Sequence, residues 1–241
     1  MTDLLALNSI RGKSGKDTLI GLLESEGRKV FRVAFADVLK EMCAHALAGG
    51  PGNYATELQR RMHTSQKDDA IPLLSIAQLP ESAYKDWLKG AGRKDPVAHR
   101  WIGQGRSLRW HLQTFGTGYH REHLGKPNVW FDLGMEQVRA GLEDGSNDHV
   151  VVTDMRMPNE FAGLTKGPHT HQPNPHAFSW NIPKVRTVRI VRDWFIPGVD
   201  DQPYHISDIA LMAHPFDALV VNRLGEPWAM LDQLKEQGVI N

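Results

Sequence analysis

The chain has 241 residues, with 28 basic and 28 acidic side chains balancing to a formal net charge of zero, which argues against a bulk nucleic-acid binder. The single cysteine, Cys43, excludes an intrachain disulfide and a cysteine-based zinc site within one chain. Hydrophobic content of 41% and charged content of 23%, with no apolar run long enough for a bilayer and no signal-peptide pattern, lead us to expect a soluble cytoplasmic protein with no membrane association.

In chain order, short apolar runs alternate with amphipathic stretches, which predicts an α/β fold with a mainly parallel sheet. Strands are expected at Leu4–Asn8, Lys29–Phe35, His149–Thr153, Thr187–Arg192 and Ala218–Asn222. Helices are expected to begin at Lys16, Asp37, Ala55, Ser107, Asn128, Ile206 and Pro227, and Gly27 reads as a helix stop. Residues 66–105 mix proline, glycine and charge and are expected to form an insertion, with weak helical signals around "ESAYKDWLK". Residues 163–184 are turn-rich and read as a long loop. That loop and the 66–105 insertion are the two lid candidates; loops of this length in compact domains are usually functional or disordered.

The first strand leads into "SIRGKSGKDT" and then a helix. This is the context of a phosphate-binding loop, in which backbone N–H groups at a helix N-terminus wrap an anion. Gly12, Lys13, Ser14, Gly15, Lys16, Asp17 and Thr18 are therefore the expected triphosphate ligands, with Lys16 following charge onto the transferred phosphate. Two positions depart from the G-x-x-x-x-G-K-[ST] pattern. Ile10 stands where the first glycine is usual, and Asp17 replaces the hydroxyl that touches Mg²⁺. A carboxylate is itself a hard oxygen ligand, and Thr18 offers a hydroxyl one residue later.

The islands "FADVLKE" (35–41), "LQTFGTGYHRE" (112–122), "NVWFD" (128–132), "VVVTDMRMPNE" (150–160) and "HISD" (205–208) follow the "GKDT" loop in an order that resembles the bacteriophage deoxynucleoside monophosphate kinases. These belong to the adenylate-kinase-like P-loop group. The resemblance spans most of the chain as spaced islands and leaves 66–105 and 163–184 largely unmatched. It implies a single P-loop NTPase domain over 1–241, with a five-stranded, mainly parallel sheet, a helical acceptor-binding insertion and a lid-like loop. It also implies transfer of the ATP γ-phosphoryl group to a deoxynucleotide in the host cytoplasm, with ATP and Mg²⁺ as cofactors.

On that basis Lys16, Arg121 and Arg156 are the expected catalytic cations, and Asp17, Thr18 and Asp154 the metal ligands. The acceptor site is expected to draw on Asp37, Lys40, Gln113, Gly116, Thr117, Arg121, Trp130, Arg156, Asn159 and Glu160. Each also has a plainer account. Asp37 suits a helix first turn, Asn159 a helix cap, and Trp130 core packing, while Gln113, Thr117 and Arg121 fit a solvated helix face. Arg192 reads either as a phosphate-stabilising arginine or as an exposed charge. The histidines at 169, 171 and 176 fit a solvated loop or lid better than a zinc site, and His205 is either structural or a substrate contact. Partners are expected to be small nucleotides rather than nucleic acid, and a homodimer is compatible with the reading. Two other functions stay open: a P-loop kinase for another small acceptor, such as dephospho-coenzyme A or a sugar acid, and a slow ATP-hydrolysing switch.

Overall fold

The computed structural model describes residues 2–93, 102–166, 184–201, 204 and 206–241. Contacts group them into two units, one of residues 1–35 with 134–241 and the other of residues 36–133.

The first unit is built on five parallel strands, β1 (Asp3–Asn8), β2 (Val30–Val33), β5 (His149–Val152), β6 (Val185–Arg192) and β7 (Ala218–Asn222), in the order β2-β5-β1-β6-β7. β1 is central, with Leu5 opposite Val151 on one side and Arg186 on the other. Leu4 to Leu7 are wholly buried, as expected of a parallel strand covered on both faces. Helices α1 (Lys16–Ser25) and α9 (Ala229–Glu236) bring Leu19, Ile20 and Leu23, and Met230, Leu231 and Leu234, into one core with Val188, Ile190 and Val220.

Chain ends and turns follow from local chemistry. After α1, Arg28 N donates to Leu23 O and Gly27 N to Glu24 O, with Gly27 at φ 81°, the paired C-terminal motif that a left-handed glycine permits. β2 ends at Val33 rather than Phe35, because the Phe35 N–H is taken by Asp154 Oδ1 at 2.8 Å and the chain turns into α2 (Phe35–Ala48). At the other sheet edge, the side-chain amides of Gln233 on α9 and of Gln237, which caps its C-terminus, pair with β7. Val221 N donates to Gln233 Oε1 and Gln233 Nε2 donates back to Val221 O; Gln237 does the same for Leu219.

The second unit is mainly helical. It holds the greater part of α2, α3 (Asn53–Met62), a short antiparallel pair β3 (Ala70–Ile71) and β4 (Arg106–Ser107), α4 (Ala83–Arg93), α5 (Leu108–Gln113) and the start of α6 (Val129–Glu143). α5 continues into a π-helical segment, Thr114–His123. Its core joins Cys43, Leu47, Leu58, Met62, Leu74, Leu88, Leu108 and Phe115 with the rings of Tyr84 and Trp130. His111 is buried inside it, donating from Nε2 to Leu74 O and lying 3.2 Å from the Tyr84 hydroxyl, and burial pushes its pKa down to about 4. This keeps the ring neutral, as a buried polar group with satisfied partners should be.

The described residues of the 66–105 stretch fall in this unit and hold most of one short 3₁₀ turn, the whole of a second, β3 and α4, with β4 beginning directly after it. Of the 163–184 stretch, α7 (Pro158–Lys166) covers the start, and 167–183, with all three loop histidines, lies outside the described residues, as does His205. Among the described residues no helix is long and apolar enough to cross a membrane.

Candidate functional site

The loop after β1 carries the features an anion cradle needs. Gly15 is the residue before α1 and adopts φ 99°, which an L side chain resists; a Cβ there would also run into the Asn222 amide and come within 3.5 Å of Met230 Cε. Lys13 is the one non-glycine residue with positive φ among the described residues, at 58°. Gly12, by contrast, has an ordinary φ and open space where a Cβ would stand.

Three carbonyls of this loop are held by protein donors. Ser14 Oγ donates to Arg11 O at 2.6 Å, Arg192 Nη2 to Gly12 O at 3.4 Å, and Asn222 Nδ2 to Ser14 O at 3.2 Å. A trans peptide points its N–H opposite to its C=O. Fixing these carbonyls therefore aims the N–H groups of Gly12, Lys13 and Gly15 the other way, as in an anion-binding nest.

Lys16 opens α1, and its Nζ donates to the buried Ser9 Oγ at the end of β1. Burial lowers its pKa from the usual 10.5 to about 8; the Arg156 guanidinium adds to this, while Asp154 and Asp17 oppose it. Those three charges, with Arg32, thus lie around one ammonium group. Asp17 is 77% exposed and ion-paired at 2.9 Å with Arg32 on β2, and Thr18 is exposed beside it. Arg156 pairs with Asp208 at 3.4 Å. A cavity of about 510 Å³ adjoins the loop, lined by residues 13–18 together with Trp194, Asn222, Arg223, Leu224 and Pro227.

Several expected ligands have structural duties in this unit. Asp154 caps α2 through Phe35 N. Glu160 is buried, and its Oε2 accepts from both Arg156 N and Met157 N, closing the N-terminal turn of α7, while Asn159 beside it is exposed. Arg192 is not an exposed charge. Its side chain is 5% exposed and forks onto both oxygens of Asp200 at 2.6 and 2.8 Å. Asp200, eight residues on, supplied no motif that could have signalled this pairing.

The remaining acceptor candidates lie in the second unit. Asp37 and Lys40 form an ion pair at 2.6 Å in the first turns of α2, with His63 3.3 Å from Lys40 Nζ. Gln113 and Thr117 are exposed and Arg121 is half-buried, with its Nε lacking a hydrogen-bond partner among the described residues. Gly116 and Trp130 pack together: the indole Nε1 donates to Gly116 O at 3.1 Å and the ring is 3% exposed, so Trp130 serves the core.

Sequence reasoning passed over Arg11, Arg32, Asp200 and Asn222, and considered Ser9 only as relief for the bend at Ile10 rather than as the partner of Lys16. Asn222 had a signal: it is the polar last residue of an apolar strand, and in open α/β sheets ligands bind beyond the carboxyl ends of strands. Comparison with models of known protein families and with curated protein sequences finds no match.

Proposed function

We propose that this protein is a P-loop NTPase-fold kinase that transfers the ATP γ-phosphoryl group to a deoxynucleoside monophosphate, giving dNDP and ADP. The observation that carries the reading is the cradle: a left-handed Gly15 at the head of α1, three outward-tied carbonyls, and a half-buried lysine held at the first turn. Phosphoryl transfer asks little covalent chemistry of a protein and depends on alignment and positive charge. The loop N–H groups hold the donor's phosphate tail, and Lys16 follows its terminal phosphate. The adjoining cavity of about 510 Å³ has room for the rest of a nucleotide, with Trp194, Leu224 and Pro227 as apolar walls for a base.

Arg156 is the cation of this unit best suited to fork onto a second phosphate, since its ion pair to Asp208 is long and partly exposed. The carboxylates of Asp154 and Asp17 and the Thr18 hydroxyl are hard oxygen donors that fit Mg²⁺, which when bound would neutralise developing phosphate charge. The choice of a deoxynucleotide acceptor rests on the spaced islands of sequence resemblance and assigns Arg121, Gln113, Thr117, Asp37 and Lys40 to its recognition.

A coupled assay for ADP release, run with a panel of dNMPs and NMPs, tests the reading. ADP release that depends on a dNMP supports it. Release that needs another small acceptor, or none, replaces it with a different kinase or with an ATP hydrolase.

A further inference from the structure

Asp200 gathers more of the phosphate loop's surroundings than any residue of the expected motif. Its two carboxylate oxygens accept from both terminal nitrogens of Arg192 and from Ile196 N at 2.7 Å, and its Oδ1 lies 3.8 Å from Arg11 Nε. Its main-chain carbonyl accepts from Arg11 Nη2 at 3.2 Å. Arg11 in turn stacks on the Tyr204 ring at 3.6 Å. The hydrogen bonds from Arg192 are the first cause holding the Asp200 pKa down at about 2, so the carboxylate stays charged at any working pH.

The consequence reaches the cradle through Arg192, whose Nη2 also donates to Gly12 O. The position usually held by the first glycine of such a loop is Ile10, so this loop lacks that relaxed first bend. It is instead fixed from outside at two successive residues, Arg11 by Asp200 and Gly12 by Arg192.

We propose that Asp200 and Arg192 are positioning residues that brace the phosphate loop for ATP, fixing from outside the bend that Ile10 leaves without a glycine. This rests on the kinase reading, because it presumes that the loop binds a triphosphate. Neither residue touches the reacting atoms. Their effect is to hold the Gly12 carbonyl outward, and so the Lys13 N–H inward.

The opposite role is a latch, in which Asp200 occupies the arginines and must let go before ATP enters. Binding measurements separate the two by sign. ATP affinity is measured by calorimetry on the unsubstituted protein, on Asp200→Asn, and on Arg192→Lys, which keeps an ion pair to Asp200 but has no second arm for Gly12 O. Should Asp200→Asn fail to fold, Arg192→Lys carries the test. The expected result is at least a tenfold weaker ATP affinity in both variants. The KM for ATP should rise in step while the KM for the acceptor stays within twofold and the Arg192→Lys melting temperature stays near that of the parent. Affinity unchanged or increased in either variant, or an equal rise in both KM values, overturns the brace. If the unsubstituted protein binds no ATP, the kinase reading falls and takes the brace with it; if it binds ATP and the variants bind equally well, the brace alone falls.

Discussion

The two units solve stability by different means, and the difference bears on where chemistry can sit. The sheet unit secures its backbone with a parallel ladder and places its polar groups at the carboxyl ends of strands, where Ser9, Asn222 and Asp154 each hold a neighbouring segment. The helical unit has no such ladder. It is held by interlocking rings, with Tyr84 against Phe115, Tyr119 and Trp87, and its exposed candidates Gln113 and Thr117 stand at the end of α5 and on the π-helical segment that follows. In the first unit a candidate side chain is part of the scaffold; in the second, Gln113 and Thr117 are carried on top of it.

This contrast can be broken by substitution, and the largest effect is expected at Lys16. Lys16→Ala should lower kcat/KM by ~10² to 10³, the scale of losing one preorganised charge donor, while the melting temperature changes little. A variant that kept full transfer would end the donor-site assignment. Next comes Met62→Ala in the ring-lined core, where Met62 is almost wholly buried. It should cost about 2–5 kcal/mol of stability, read as a lowered denaturant midpoint, with the residual folded fraction still binding ATP. A stability loss near zero would mean that the helical unit does not depend on this packing.

A pH profile sharpens the first unit's half of the contrast. With its pKa lowered to about 8 by burial, Lys16 in the free protein is charged below pH 8 and neutral above it. kcat/KM for ATP should therefore fall as pH rises through about 8, by about tenfold per further unit. kcat at saturating ATP should hold to higher pH, because bound phosphate favours the ammonium form. A flat kcat/KM profile to pH 10 would contradict the placement of that charge. The smallest effect belongs to the exposed stripe. Gln113→Ala should raise acceptor KM by about fivefold, the worth of one hydrogen bond of ~1 kcal/mol, and leave the KM for ATP alone.

Legibility followed the same division. β1 and β5 could be read from runs of buried aliphatics because a strand covered on both faces leaves a continuous apolar signature, whereas β6 and β7 mix buried with half-buried or exposed positions and were read from their β-branched content. α1 and its glycine stop were equally plain. β2 was expected to run two residues past its C-terminal end, since nothing local in "VFRVAF" reveals that a carboxylate 119 residues away captures the Phe35 N–H. Lys16 and Gly15 were visible as a motif, but Asn222 and Asp200 act through distant or loop-borne contacts and carried no periodicity. The π-helical segment was invisible for another reason: its rings and glycines satisfy a fourfold spacing almost as well as an α-helix does.

The glutamine pair at the end of α9 has one more effect. β7 is an outer strand, and such a border normally offers a row of spare main-chain donors and acceptors to any passing extended chain. Here two carboxamides, spaced one helical turn apart, imitate that passing chain from within. The main-chain groups of Leu219 and Val221 are thereby already taken, which opposes growth of the sheet into a neighbour along that border.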